Sequence, residues 1–144
     1  MENDDDGIKT VSCRIPATLR DAIFDLTTTH PERPSYGQLA WWACEDNQHL
    51  VEQRTLRHLR DKRANRAQRR GRGGAGRRTA TPTVPLTPRL WPEELVAIDR
   101  THAAVQQLVA GDPDLHTMKV SRTAIVIAAF EIALETTQTS RKES

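Results

Sequence analysis

The residues Thr10-Val11-Ser12-Cys13-Arg14-Ile15-Pro16 lie near the N-terminus of the chain. Side chains of an extended chain point alternately to opposite sides, and here apolar and polar residues alternate strictly. One face would hold Val11, Cys13 and Ile15, and the other would hold Thr10, Ser12 and Arg14. The pattern predicts a half-buried strand over residues 9–16, which ends at a proline suited to the approach to a helix.

A pair of helices is predicted directly after this strand. Apolar residues recur at helical spacing over about 17–28, and Pro31 and Pro34 prevent that helix from continuing. Ser35, with Gln38 three residues later, predicts a capping box at the start of a second helix. The residues expected to face the core are Leu19, Ala22, Ile23 and Leu26 in the first helix and Leu39, Ala40, Ala43 and Leu50 in the second.

The same order of elements recurs in the second half of the chain, from Val84-Pro85-Leu86-Thr87-Pro88-Arg89-Leu90-Trp91-Pro92. The inward residues would be Leu86, Pro88 and Leu90, and the outward residues would be Pro85, Thr87 and Arg89. Because proline lacks a backbone N–H, Pro85 and Pro88 are each expected to remove a ladder donor and to distort or shorten the strand. Trp91 is expected to pack in the core, where the strand meets the helix.

A second helix pair follows this strand. One helix is predicted from Pro92 to about Ala110 and is stopped by Gly111, and Ser121 is expected to cap the last helix. The residues expected to face the core are Leu95, Ile98, Val105 and Leu108 in one helix and Ile125, Ala128, Ala129 and Ile132 in the other.

These repeated units define the expected architecture. A strand–helix–helix unit cannot bury its strand and both helices alone, so two copies in one chain are expected to pair. The predicted fold is mainly α with a short two-stranded antiparallel ribbon. The predicted segments are an acidic, disordered N-terminus at 1–8, a first unit at 9–53, a basic helical arm and flexible linker at 54–83, a second unit at 84–137 and a polar tail at 138–144.

The net charge of +2 conceals a strong asymmetry. The segment 54–78 holds eleven of the 21 Lys and Arg residues and one of the 19 acids, so it carries +10 and the remainder carries −8. A block this basic favours contact with a polyanion, although a solvated linker is the alternative. Its cations are Arg54, Arg57, Arg60, Lys62, Arg63, Arg66, Arg69, Arg70, Arg72, Arg77 and Arg78.

Several classes of function are not favoured by the sequence. No apolar run approaches the ~20 residues of a membrane span, and the acidic start Met1–Asp6 argues against a secretory signal. Cys13 and Cys44 lack the spacing of a metal site and are expected to be small core hydrophobes. No catalytic constellation, cofactor motif, metal site or small-molecule site is evident, so an enzyme is not expected.

The residues of both units resemble the ribbon-helix-helix family of DNA-binding proteins, the Arc and MetJ type. The first match is Val11–Pro16 leading into a helix, and the second is Lys119-Val120-Ser121-Arg122-Thr123-Ala124-Ile125, which is similar to the family's usual opening of its second helix. The resemblance covers about residues 9–53 and 84–137. It implies a tandem ribbon-helix-helix pseudo-dimer in which two strands pair antiparallel and enter the major groove of DNA.

The resemblance also implies which residues contact double-stranded DNA. The outward strand residues would touch base edges, where Arg pairs in a fork with guanine and Ser or Thr pairs with several edges. These are Thr10, Ser12, Arg14, Thr87 and Arg89. The start of each second helix would hold a phosphate, because free backbone N–H groups and the helix dipole suit an anion. The matching positions are Arg33, Ser35, Tyr36 and Gly37 in the first unit and Lys119, Val120, Ser121 and Arg122 in the second.

The expected function is sequence-specific binding of double-stranded DNA in the cytoplasm, in association with the nucleoid. A transcriptional repressor or a plasmid-partition factor is favoured, and an accessory protein of a conjugative relaxosome is the alternative. Homo-oligomers on DNA are a further possible form of the complex. Two further alternatives stay open: a nonspecific RNA or DNA binder acting through the Arg-rich segment, and an antitoxin-type interaction module.

Overall fold

The computed structural model describes residues 8–71 and 82–143, except for the side chains of 66–71 and 138–143. The elements are β1 (Lys9–Thr10), β2 (Cys13–Pro16), α1 (Ala17–Thr29), α2 (Tyr36–Asp46), α3 (Gln48–Gly71), β3 (Thr83–Leu86), β4 (Arg89–Leu90), α4 (Pro92–Ala110) and α5 (Arg122–Glu143). The prediction of a mainly helical chain with a short antiparallel two-stranded sheet is confirmed. The expected disordered N-terminus and most of the expected linker lie outside the described residues.

The two strand segments of this chain pair with each other. The paired residues are Lys9 with Leu90, Thr10 with Arg89, Cys13 with Leu86, Arg14 with Pro85, Ile15 with Val84, and Pro16 with Thr83. All six pairs follow one register, so segments 9–16 and 83–90 form one ribbon without a bulge. The predicted alternation is confirmed: residues 11, 13, 15, 86, 88 and 90 are buried, and residues 10, 12, 14, 85, 87 and 89 are exposed.

The two prolines of the second strand affect the ribbon unequally, which corrects the sequence-based expectation. Opposed residues in an antiparallel pair alternate between hydrogen-bonded and non-hydrogen-bonded positions. The Val11 N–H donates to the carbonyl of Pro88 at 3.1 Å, so Pro88 sits at a hydrogen-bonded position and cannot return the bond. Pro85 lies three residues away, at a non-hydrogen-bonded position where an N–H would point away from the partner strand. Only Pro88 therefore removes a ladder donor, between the two short ladders.

The first helix pair begins and ends at polar signals. The Gln38 N–H donates to Ser35 Oγ at 3.1 Å and the Ser35 N–H donates to Gln38 Oε1 at 3.0 Å, which confirms the capping box. Asn47 separates α2 from α3. This interruption changes the face that meets the core, so Val51 is buried and Leu50, predicted to be buried, is 45% exposed. Ala22 of α1, also predicted for the core face, is exposed.

Two predictions for the second helix pair are wrong. Trp91 is 51% exposed rather than packed in the core, since it lies at the N-cap of α4, where its backbone N–H donates to Glu94 Oε1 at 2.9 Å. Leu108 is 44% exposed because the buried face of α4 continues through Thr101, Val105 and Val109 instead. The predicted core residues of α5 are confirmed as buried: Ile125, Ala128, Ala129 and Ile132.

The first part of α3 belongs to the core. Val51, Thr55, Leu56 and Leu59 are buried at helical spacing, and α3 packs on both α4 and α5. The helix thus differs from the arm expected from its charge, because the apolar stripe within residues 51–59 anchors it. Residues 60–65 are all exposed.

Both cysteines lie in this core, as predicted. Burial raises the pKa of the Cys13 thiol, and burial raises the pKa of the Cys44 thiol to about 11. Both thiols are therefore protonated near neutral pH and behave as small apolar groups. Across the described ranges, no helix is long and apolar enough to cross a membrane.

Candidate nucleic-acid interface

The outer face of the ribbon brings together the five residues predicted to touch bases. The register places Thr10 opposite Arg89, Ser12 opposite Thr87, and Arg14 opposite Pro85, and all six side chains are exposed. The inner face buries Ile15 and Leu90 against the helices. The ribbon therefore presents two guanidinium groups and three hydroxyl groups on one side of a backbone that its own ladder holds in place.

The guanidinium of Arg14 is held across the ribbon by Thr83. Arg14 Nε donates to Thr83 Oγ1 at 3.2 Å, and one terminal nitrogen donates to the Thr83 carbonyl at 2.9 Å. Sequence reasoning missed Thr83, which register alone identifies once strand pairing is known. Because a guanidinium has five N–H donors, Arg14 retains donors for an incoming acceptor.

Arg89 differs from Arg14 in its surroundings. It is exposed, and no described residue forms a side-chain hydrogen bond with it. The backbone of Arg89 packs closely against Gly37 in the first turn of α2, where an added Cβ would overlap the carbonyl oxygen of Arg89. The glycine therefore permits α2 to approach β4 closely, and the start of this helix sits directly beside the ribbon.

The N-terminus of α2 begins beside β4 with Tyr36 half-buried and Gly37 buried. The Ser35 side chain satisfies the N–H of Gln38, and the Ser35 carbonyl accepts the N–H of Leu39 at 3.1 Å. Helix geometry leaves the N–H groups of Tyr36 and Gly37 without an intrahelical partner. Arg33, just before the cap, is exposed and has a left-handed backbone with φ of 46°.

The N-terminus of α5 has a similar arrangement. Ser121 Oγ accepts the N–H of Ala124 at 3.1 Å, so the free donors at this end belong to Arg122 and Thr123. Thr123 was not among the residues predicted from the motif, and the position of the cap reveals it. The guanidinium of Arg122 pairs with Asp99 at 2.9 Å. Both side chains are about half exposed, and such pairs are weak enough to exchange for a phosphate.

The remaining two residues predicted at this end have different environments. Lys119 is exposed, whereas Val120 is buried. His102 donates its Nε2–H to the Val120 carbonyl at 2.7 Å and thereby ties the segment before α5 to α4. The structure thus places Lys119 within reach of solvent and Val120 in a supporting position.

The basic segment is divided between structural and exposed cations. Arg54 pairs with Glu131 at 3.0 Å and with Glu135, and Arg60 pairs with Asp112 at 3.0 Å. Arg60 is nevertheless exposed, and the other exposed cations of this segment among the described side chains are Arg57, Lys62 and Arg63. The side chains of Arg66, Arg69 and Arg70, and the whole of Arg72, Arg77 and Arg78, lie outside the described part.

Contacts along α3 show its direction relative to α5. Arg54 reaches Glu135 and Glu131, and His58, four residues further on, contacts Glu131 at 2.7 Å. The two helices are therefore antiparallel, and α3 advances towards the N-terminal end of α5. Lys62 lies two turns beyond Arg54, about 12 Å along the helix, which brings exposed positive charge in the direction of the Ser121 cap.

Glu131 organises the contact between these helices and was not identified from the sequence. Burial alone would raise the pKa of its carboxyl, but hydrogen bonds and charge from His58 and Arg54 outweigh burial and lower it. Arg54 is correspondingly held in its charged form, since the two carboxylates raise its pKa despite burial. The network fixes α3 on α5, and Arg57, Lys62 and Arg63 face water.

The described residues contain no group of three or more His, Cys, Asp or Glu side chains placed to hold a metal ion. Comparisons with known protein families, with curated proteins and with solved structures find no match to this chain.

Proposed function

We propose that this chain is a sequence-specific double-stranded-DNA-binding protein, a tandem ribbon-helix-helix pseudo-dimer that inserts its ribbon into the major groove. Of the roles compatible with this activity, transcriptional repression or plasmid maintenance is the one we favour, with relaxosome assembly as the alternative. One observation carries the proposal: an approximate two-fold symmetry relates the two strands of the ribbon.

This relation is a property of the register. Ser12 lies opposite Thr87, and the two are 75 residues apart; Arg14 and Arg89 are also 75 residues apart. The same separation relates the helix starts at Ala17 and Pro92. Exchanging the two halves therefore converts the pair Arg14–Pro85 into the pair Arg89–Thr10. An approximate two-fold axis through Ser12 and Thr87 is what a dimeric ribbon protein would have, and it supports a pseudo-dimer.

The chemistry of the outer face supports readout of base edges. A two-stranded ribbon fits the major groove, and arginine can donate two parallel hydrogen bonds to guanine O6 and N7. The hydroxyls of Thr10, Ser12 and Thr87 can donate or accept, so they suit several base edges. Arg89 would bind a base edge directly, whereas Arg14 would bind one either after releasing Thr83 or with its remaining N–H donors.

The helix termini supply the second part of the proposed interface. Two serine-capped helices start with free N–H groups, and the start of α2 lies directly behind β4. Phosphates bound at these ends would position the ribbon without adding sequence information.

A second candidate function, nonspecific binding of RNA or DNA, is favoured by the exposed cations of α3. Arg57, Lys62 and Arg63 lie away from the ribbon and carry no base-reading geometry. For duplex DNA, the slope of log K against log salt becomes shallower by about 0.9 for each phosphate that the protein no longer neutralises.

A binding selection from a randomised duplex library tests the two functions. Wild type should enrich one motif at physiological salt, and Arg14→Ala should relax or lose that motif. Arg20→Ala is the matched control, because Arg20 is partly exposed on α1 and its described side-chain partner is its neighbour Asp21.

The basic helix needs its own arm of this experiment. Deleting residues 54–78 would remove core residues, so the triple variant Arg57→Gln, Lys62→Gln and Arg63→Gln replaces it. Binding that shows no motif with wild type and disappears in the triple variant would reject the ribbon proposal in favour of nonspecific binding.

A further inference from the structure

A cavity of about 330 Å³ lies at the end of α2 remote from the ribbon. Its walls come from three places: the segment after α1, the face of α2 from Leu39 to Asp46, and α5 near Thr136. Asp46, at the C-terminal end of α2, lies about 16 Å along the helix from the Ser35 cap. The volume falls within the range of small-molecule sites, and Glu32 is the lining residue that adjoins a predicted phosphate contact, Arg33.

The charged groups that line this cavity are all of one sign. Glu32 and Asp46 contribute carboxylates, and no Lys or Arg is among the described lining residues. His30 also lines it, and its Nδ1 accepts the backbone N–H of Glu32 at 3.0 Å, so this nitrogen carries no proton in the observed arrangement. The cavity therefore offers negative charge without a positively charged side chain, together with the neutral donors of Trp42, Asn47 and Thr136.

Two helices direct their C-terminal ends to the same place. α1 ends at Thr29 and α2 ends at Asp46, and neither has a basic residue in its last turn. The C-terminus of a helix carries partial negative charge, so an acid such as Asp46 is unfavourable there and a cation is favourable. Glu45, beside it, is compensated by Arg100 at 3.1 Å. A cation bound in the cavity would provide the corresponding compensation for Asp46.

The apolar walls indicate what kind of cation fits. Trp42 is half-buried with its ring centroid 5.8 Å from that of His30, and Leu39, Ala43 and Ala133 line the interior. An indole face attracts an ammonium or guanidinium group, and the aliphatic side chains accommodate methylene groups. A hydrated metal ion would make no use of this apolar surface.

We propose that this cavity binds an alkyl ammonium or alkyl guanidinium group, with the charged head at Asp46 and Glu32 and the alkyl chain against Trp42. The same chemistry could come from a free small molecule or from a Lys or Arg side chain of a protein. The test of this proposal uses no DNA.

The test is an amide and indole NMR titration of the full chain at constant ionic strength. n-Butylguanidinium and n-butylammonium should give saturable shifts centred on Trp42 and Thr136, with a dissociation constant of about 1 mM or lower. n-Butanol and butyrate are the neutral and anionic controls. A capped Gly-Arg-Gly peptide separates the sources: tighter binding than n-butylguanidinium identifies a protein side chain, and no binding identifies a free small molecule.

Matched variants locate the charge that matters. Asp46→Asn should weaken n-butylguanidinium about fivefold, the size of a partly exposed charge contact. Glu45→Gln should leave the affinity unchanged, because Glu45 is occupied by Arg100 outside the cavity. Equal shifts with n-butanol, no saturable shift with either cation, or an unchanged affinity in Asp46→Asn would each overturn the proposal.

Discussion

Arg14 and Arg89 occupy matching places on the ribbon, yet their guanidinium groups are in different states. Arg14 is hydrogen-bonded to Thr83 across the ribbon, and Arg89 is exposed without a described side-chain partner. The exchange of halves explains the difference, because Ile8 stands where Thr83 stands and has no side-chain acceptor. Two similar halves in one chain are thus free to diverge, and each end of the ribbon can acquire its own binding properties.

The largest expected effect comes from breaking the support behind Arg89. Gly37→Ala would place a Cβ against the Arg89 carbonyl and separate α2 from β4, and such overpacking should lower the free energy of unfolding by about 3 kcal/mol. Gly111→Ala is the control, since its Cβ would meet nothing closer than 3.8 Å. Chemical denaturation measures both, and equal stability of the two variants would contradict the close approach. The other half has no equivalent glycine, because α5 carries Thr123 at the matching position.

Given the proposed function, measurements of DNA affinity test the difference between Arg14 and Arg89. Arg89→Ala should weaken binding to the selected site by about 2 kcal/mol, within the range of a bidentate guanine contact. Arg14→Ala should cost about half as much, because a free Arg14 must first give up its bonds to Thr83. Thr83→Val removes one acceptor and should therefore make the Arg14→Ala effect larger. Fluorescence anisotropy at one salt concentration measures all three variants, and an Arg14→Ala effect that is unchanged in the Thr83→Val background would show that Thr83 does not compete with DNA.

The sequence predicted the elements that depend on local pattern. Strict alternation located the ribbon and its faces, and Ser35 with Gln38 located the start of α2. Features that depend on distant partners were missed. The charge of α3 predicts a basic arm, but Thr55 and Leu59 are buried in the core and Glu131 binds Arg54. The roles of Thr83 and of the two prolines depend on register, which a single strand does not specify.

The contact between the halves should respond to pH through Glu131. Its pKa is lowered in the folded chain, so it contributes stability above the pKa of the unfolded state, and this stability is lost as pH falls through the folded value. The free energy of unfolding of wild type should therefore fall to that of Glu131→Gln as the pH is lowered from about 5 to about 3. Thermal unfolding across this range measures the difference, which we expect to be about 1 kcal/mol near neutral pH. A pH-independent difference would show that Glu131 acts only through packing.

An effect of similar size separates the two prolines of the second strand. Pro88→Val would restore an N–H opposite Val11, whereas Pro85→Val would add one that faces away from the partner strand. Both changes increase the conformational entropy of the unfolded chain by similar amounts, so the difference between the two variants reports the ladder bond together with the packing of residue 88, which is buried whereas residue 85 is exposed. Pro88→Val should be more stable than Pro85→Val by about 1 kcal/mol, the net value of one backbone hydrogen bond. Hydrogen exchange of the new backbone amide in Pro88→Val checks the bond directly, and fast exchange there would mean that the gap in the ladder has a cause other than the missing donor.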